Sequence, residues 1–144
     1  MSETPDGMEE TTHAGGCRCG GVRFEGRASK PLRSVVCACP DCQRSSGTFL
    51  SVAVGFHADA FEVTRGEELL SSWADTGESG QPVHRTFCSR CGSPLFARPE
   101  AAPHLVSVRA VALDEPFTAD PAFGIFAEHI PGWVALPGVT FYDE

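Results

Sequence analysis

The chain reads as a mostly β protein, and three observations point there. Apolar residues almost never recur at helical spacing. Glycine and proline, 15 and 11 of them in 144 residues, punctuate the whole length. Between them lie short runs rich in β-branched and aromatic residues, the composition of strands. Val22–Gly26 alternates apolar and polar residues after a Gly-Gly turn, and Leu32–Cys37 is the next candidate strand. Phe49–Phe56 is apolar enough for a strand buried on both faces. Phe61–Thr64 and Leu69–Trp73 form an expected hairpin around Arg65-Gly66-Glu67. Val83–Phe87, Pro94–Ala97 and Leu105–Val111 complete the strands, and Pro40–Ser46 is the single expected helical turn. Residues from Asp114 to Glu144, rich in Pro, Gly and aromatics, are expected to wrap over the sheets as an ordered arm.

Length and charge bound the rest. The acid- and glycine-rich start predicts a disordered tail over residues 1–15, leaving one domain over residues 16–144. That start has neither a basic nor an apolar region of the kind that directs export, so a cytoplasmic, reducing setting is expected. No apolar stretch is long enough for a membrane helix. The net charge of −8, with Lys and Arg scattered rather than clustered, argues against a nucleic-acid partner.

The seven cysteines carry the chemistry, in the groups Cys17-x-Cys19-Gly, Cys37-x-Cys39-x-x-Cys42 and Cys88-x-x-Cys91-Gly. In a reducing setting such clusters bind metal more often than they form disulfides. Residues i and i+2 of an extended segment point to one side, so Cys17 and Cys19 can grip one ion. C-x-x-C followed by Gly is a knuckle in which the glycine takes the positive φ that folds the chain under a metal. Structural zinc is closed by four ligands, whereas catalytic zinc keeps a position open beside three. Seven thiols divide naturally as four plus three: Cys17, Cys19, Cys88 and Cys91 close one site, and Cys37, Cys39 and Cys42 make a one-sided grip. Spacing alone leaves another division open, because Cys37 and Cys39 could pair with either other group. A thioredoxin-like redox pair lacks its βαβ context, and a nucleic-acid zinc ribbon would need its C-x-x-C knuckles much closer than Cys42 and Cys88.

Three segments carry a family resemblance. Gly16-Cys17-Arg18-Cys19-Gly20, Cys37-Ala38-Cys39-Pro40-Asp41-Cys42-Gln43-Arg44 with Gly47, and Arg85-Thr86-Phe87-Cys88-Ser89-Arg90-Cys91-Gly92-Ser93-Pro94-Leu95 resemble the GFA family. These are the glutathione-dependent formaldehyde-activating enzymes, a family that also includes centromere protein V. The resemblance spans about Gly16 to Trp133. It implies a β-tent of antiparallel sheets stapled by zinc. It implies a structural zinc on Cys17, Cys19, Cys88 and Cys91 and a catalytic zinc on Cys37, Cys39 and Cys42, hence two zinc ions per chain, the second site sometimes partly empty. The implied reaction is that of a carbon–sulfur lyase or synthase joining a thiol such as glutathione to an aldehyde, as in S-(hydroxymethyl)glutathione synthesis. The alternative is a non-enzymatic zinc-stabilised binding module.

Other residues are given plainer roles. Arg44 is either a partner for a substrate carboxylate or a solvated surface arginine. His57, His84, His104 and His129 fall outside the cysteine spacing and are expected to be surface or hydrogen-bonded structural histidines, His84 being nearest a motif. Phe49, Phe56, Phe87 and Phe96 are expected in the core. Trp73 and Trp133 are expected to pack in the core or under the arm, with a pocket wall as the other choice. The sequence leaves the oligomeric state open.

Overall fold

The computed structural model describes residues 10–29, 32–76, 79–116 and 119–142. Its strands are β1 (Glu10–Gly16), β2 (Arg23–Ser29), β3 (Leu32–Cys37), β4 (Ser51–His57), β5 (Phe61–Arg65), β6 (Leu70–Asp75), β7 (Val83–Cys88), β8 (Pro94–Pro99), β9 (Leu105–Arg109), β10 (Ala119–Ile125) and β11 (Phe141–Tyr142). Among the described residues the single α-helix is α1 (Pro40–Ser46), where the Pro at its start and a left-handed Gly47 at its end mark the expected turn. The strands form a small sheet, β1-β2-β5, and a large one, β11-β10-β3-β4-β9-β8-β7-β6. The fold is mostly β, as expected. The small sheet is antiparallel throughout, but the large one is mixed, because β10 runs parallel to both β3 and β11. Within the segment beyond Asp114, expected as a covering arm, β10 and β11 extend the large sheet beyond β3.

Register assigns the two faces of the large sheet different tasks. Val54 faces Val108 across β4 and β9, and Val108 faces Phe96 on β8. These residues are buried, and with Phe56 and Val106 they pack against Phe24 and Phe61 of the small sheet to make the core. Phe61 sits at the centre of that contact, with ring centroids 5.4 Å from Phe24 and 5.0 Å from Phe96. The other face follows from the period-2 alternation of strands. Cys37 pairs with Ser51, Ala53 with Arg109, Ala97 with Ser107 and with Arg85, and Arg85 with Trp73. Cysteine, arginines and tryptophan therefore share the face turned away from the core.

Other expectations are corrected as well. Residues 10–15, expected as disordered tail, belong to β1, which pairs with β2 from Glu10↔Ser29 to Gly16↔Arg23. Its side chains are mostly polar, so composition conceals a strand held by its backbone ladder and by Thr11, whose Oγ1 donates to the Ala28 carbonyl at 3.3 Å. Residues 1–9 of that tail lie outside the described residues. The hairpin of Phe61–Thr64 with Leu69–Trp73 does not form: β5 pairs with β2, and β6 pairs with β7. Gly66 at φ 80° and a 3-10 turn over Glu67–Leu69 send the chain from one sheet to the other. Arg65 before this turn donates to the Gly20 carbonyl at 2.7 Å, while the carbonyl of Leu69 at its end accepts from the Ser89 amide at 2.7 Å.

Phe49 is not a core residue. It precedes β4, is 48% exposed, and stands edge-on to Trp133, itself largely exposed, at 5.8 Å. In β4 the residues Ser51, Val54 and Phe56 are buried while Gly55 and His57 are exposed, so the strand is not buried on both faces. Trp73 is 61% exposed on the edge strand, not packed in the core. Phe56 and Phe96 are buried as expected and Phe87 is half-buried.

The histidines have ordinary partners: His84 Nε2 lies 2.6 Å from Glu100, His57 Nδ1 accepts from the Asp59 amide, and His129 sits 3.6 Å from Glu128. The His104 ring lies 6.3 Å from that of His57. Among the described residues no helix is long and apolar enough to cross a membrane.

Two residues test this architecture. Gly26 lies under the Phe56 ring, and a Cβ there would meet Phe56 carbons at 2.6 Å. Gly26→Ala is expected to lower stability by about 1–3 kcal/mol, read from urea unfolding, because the packed rings cannot retreat without opening the core. Arg23 and Asp114 form a two-point ion pair that ties β2 to the segment after β9, and the guanidinium holds the Asp114 carboxyl below its ordinary value. A lowered carboxyl pKa stabilises the fold above the unfolded-state value, and that contribution disappears as pH falls through the folded value. The pair is part-exposed, so Asp114→Asn is expected to cost no more than about 1 kcal/mol at pH 7. That cost should vanish in acid once the wild-type carboxyl is protonated.

Candidate metal centres and the adjoining cleft

Two thiol groups assemble, in the division that the cysteine count favoured. The sulfurs of Cys17, Cys19, Cys88 and Cys91 all lie within 4.8 Å of one another, and so do those of Cys37, Cys39 and Cys42. All seven cysteines are free.

The four-thiol group is built from two knuckles. Cys17 follows β1, its amide bonding the Val22 carbonyl at 3.2 Å, and the Val22 amide in turn donates to the Cys17 sulfur at 3.2 Å. Cys88 ends β7, and the Gly92 amide returns to the Cys88 carbonyl at 2.7 Å. Gly92 has φ 80°, the left-handed conformation expected of the glycine behind a C-x-x-C. The Arg18 amide donates to Ser93 Oγ at 2.9 Å, joining one knuckle to the other. Hydrogen bonds also reach the sulfurs. The Gly21 amide and then the Arg90 side chain, whose Nε is 3.3 Å away, lower the Cys19 pKa. Hydrogen bonds from Ser93 bring Cys91 down to about 5. Burial raises Cys88.

The three-thiol group hangs on one short segment. Cys37 ends β3; Cys39 caps α1, its sulfur accepting from the Cys42 amide at 3.3 Å; Cys42 lies in the first turn. The Ala38 amide bonds the Ile125 carbonyl of β10, so the segment between the first two thiols is pinned to the sheet. Hydrogen bonds from Cys37 and Cys39 hold Cys42 at about 3, helped by the charges of Arg85 and Arg109. Cys37 is pushed well above the usual thiol range, chiefly by its bonds to Cys39 and Cys42 and then by burial.

Sequence reasoning missed the polar frame around this group. Arg109 is buried, with Nη1 donating to Ser51 Oγ and Nη2 to Ser45 Oγ at 2.7 Å. Arg85 donates from Nε to Asp75 at 2.7 Å and from Nη1 to Ser45 at 3.3 Å. Burial lowers the Arg109 pKa, whereas for Arg85 the Asp75 carboxylate and Cys42 outweigh burial and raise it. A legible signal existed for one of them: Arg109 is the lone charge inside the apolar run Leu105–Val111. Arg44, by contrast, is exposed on α1, as expected of a surface arginine. Its neighbour Gln43 fixes the helix, donating to the carbonyls of Phe49 and His129 at 3.3 and 3.0 Å.

Ser45, Arg85 and Arg109 also line a cleft, together with Trp73, Phe87 and Phe96. Trp73 thus takes the second of its two expected roles, as a pocket wall.

Both thiol groups fit zinc. Sulfurs bound at about 2.3 Å in a tetrahedron stand roughly 3.8 Å apart, and the observed Cys17–Cys19 and Cys19–Cys88 separations are 3.4 and 3.9 Å. The amides aimed at sulfur supply the outer hydrogen bonds that thiolate ligands take.

The chain is 30% identical over 124 residues to a Halomonas elongata protein named, provisionally, as a glutathione-dependent formaldehyde-activating enzyme; the alignment covers 85% of this chain and 79% of the relative. A Rhodobacter sphaeroides protein of known crystal structure superposes with a TM-score of 0.60 at 21% identity, over 75% of this chain and 97% of that one, so the two share a fold. The model of the family described as "Glutathione-dependent formaldehyde-activating enzyme" matches residues 12–129. That span takes in both thiol groups and every residue of the cleft, and the chain accordingly belongs to this family.

Proposed function

We propose that the chain is a zinc-dependent carbon–sulfur lyase or synthase that joins a small thiol to an aldehyde, formaldehyde being the aldehyde in the family's name. The observation that supports this most is the Cys37–Cys39–Cys42 group, a set of three thiols whose neighbours Ser45, Arg85 and Arg109 line a cleft. Cys17, Cys19, Cys88 and Cys91 would hold a structural zinc, and Cys37, Cys39 and Cys42 a catalytic one. Zinc on three thiolates with a free position lowers the pKa of an incoming thiol so that it reacts as thiolate at neutral pH.

The remaining work falls to the chain. In the reaction a thiolate sulfur attacks the carbonyl carbon, a C–S bond forms, the C=O π pair moves to oxygen, and that oxygen takes up a proton. No electron donor or acceptor is needed. Arg109 is fixed by Ser45 and Ser51, and Arg85 by Asp75 and Ser45, so both guanidinium groups keep their places beside the cleft without reorganising. Such prefixed positive groups favour the negative charge that develops on the aldehyde oxygen. The apolar cleft walls limit water around the reacting pair.

Three measurements test this reading. Cys39→Ser is expected to lower bound zinc from two per chain to one while leaving the circular dichroism spectrum and the unfolding transition recognisable. Cys88→Ser is expected to leave the chain largely unfolded at 25 °C, because structural zinc contributes on the order of 10 kcal/mol to folding. Hemithioacetal formation from formaldehyde and thiols, glutathione among them, should run faster with the zinc-loaded protein than without it. Spontaneous rates throughout, with both sites full, would exclude the reading.

A further inference from the structure

We infer that the free edge of β6 is an interface between two copies of this chain, the two β6 strands pairing antiparallel with Ser72 facing Ser72 across a two-fold axis. The first ground is the backbone. β6 ends the large sheet and pairs only with β7. The Ser89 amide donates to the Leu69 carbonyl, and along an antiparallel ladder such hydrogen-bonded pairs recur at every second position. Ser71, Trp73 and Asp75 therefore direct their backbone groups to β7, while Leu70, Ser72 and Ala74 turn theirs outward. The side chains agree: Ser72 Oγ and Thr86 Oγ1 approach to 2.8 Å, as befits the closer, non-hydrogen-bonded kind of pair. The Leu70 amide is already bonded to the Glu67 carbonyl. The Ser72 and Ala74 amides and the outward carbonyls have no partner among the described residues.

The second ground is that nothing on β6 guards this edge. Edge strands are ordinarily protected by charges, by proline or by shortness. At the other edge of the large sheet β11 has two residues, and β5 at an edge of the small sheet carries Glu62 and Arg65. β6 has six residues and one charge, Asp75 at its end. Ser71, Ser72, Trp73 and Ala74 are all exposed, so neither face of the strand is packed. The third ground is self-complementarity. With Ser72 on the axis, Leu70 faces Ala74, Ser71 faces Trp73, and Asp75 lies opposite Leu69, so no two like charges meet. Each Ser72 exchanges both backbone bonds with its counterpart, and each Ala74 amide donates to the other copy's Leu70 carbonyl. Each indole then lies over the small Ser71 of the other copy. Ser71 pairs with Phe87, which lines the cleft, so each copy's Trp73 extends the apolar wall of the other's cleft. A foreign extended peptide gains the same backbone bonds, but Ser71, Ser72 and Ala74 offer it no side-chain pocket, whereas a second copy brings its own indole.

Sedimentation equilibrium of the zinc-loaded full-length chain tests this at about 0.15 M salt, where repulsion between two chains of net charge −8 is screened beyond about 8 Å. Wild type is expected to show the mass of a dimer as its concentration rises. Ser72→Lys and Ser72→Glu each place like charges face to face and should weaken association about three- to tenfold. Mixing the two variants in equal amounts should restore it, because Lys then faces Glu. Hydrogen exchange on wild type reads the backbone directly: protection of the Ser72 and Ala74 amides should rise with concentration, while those of Ser71 and Trp73, already bonded to β7, change little. A mass of one chain at every concentration up to about 1 mM overturns the inference. So does a dimer that both variants leave intact, or one that mixing fails to restore while both variants keep the wild-type circular dichroism spectrum. None of these readouts uses turnover, so the thiol–aldehyde reading stands or falls separately.

Discussion

The four sulfurs of Cys17, Cys19, Cys88 and Cys91 meet where the two sheets join, and much of the architecture depends on that meeting. Cys17 and Cys19 follow the last residue of β1 in the small sheet, whereas Cys88 ends β7 in the large one. Two ties between the sheets at this end run through these knuckles, Arg18 to Ser93 and Arg90 to Cys19. Four thiolates crowded this closely repel one another without a cation, so a divalent metal is the natural partner of the arrangement. Holding the knuckles together sets the course of β7, and β7 carries Arg85 and Phe87 into the cleft. The closed group thereby positions the open one's surroundings without touching its thiols.

How much of this the sequence made legible differs from residue to residue, for physical reasons. The cysteines were legible because ligand spacing is local: i and i+2 on an extended segment, or a knuckle closed by glycine, need no knowledge of the remaining chain. The helix at Pro40–Ser46 was legible for the same reason, its start and stop signals lying within it. Strand pairing is non-local, and there the reading failed. Phe61–Thr64 and Leu69–Trp73 look like a hairpin because a glycine separates two strand-like runs, yet β5 pairs back to β2 in the other sheet and β6 pairs onward with the next strand, β7. Phe49 and Trp73 look like core residues because they are large and aromatic. Only the register shows that Trp73 stands on an edge strand, on the face shared with Arg85 and Cys37.

That outward face concentrates the chemistry. Valine and phenylalanine from alternate positions fill the side toward the small sheet, leaving the intervening positions free to carry cysteine, serine and arginine. A buried arginine such as Arg109 is costly unless its hydrogen bonds are met and its charge is balanced nearby. Ser45 and Ser51 meet two of those bonds, and the thiols beside it balance the charge. The cost is justified only if the thiols carry negative charge, so the arginine and the thiol group make sense together and neither does alone.

The parallel pairing of β10 with β3 has a consequence for the order in which the molecule comes into being. Cys37, Cys39 and Cys42 are local in sequence and can gather as soon as that short segment is made. Ile125, which pairs with Cys37 and bonds the Ala38 amide, belongs to a strand synthesised more than eighty residues later, as the Ala119↔Leu32 pairing shows. Contacts of such long separation form late, since closing the loop costs entropy before any contact repays it. Arg85 and Arg109 likewise come from the second half of the chain. A growing polypeptide therefore displays these three thiols before the frame that restrains them exists, and the centre acquires its finished environment only when the last strands dock.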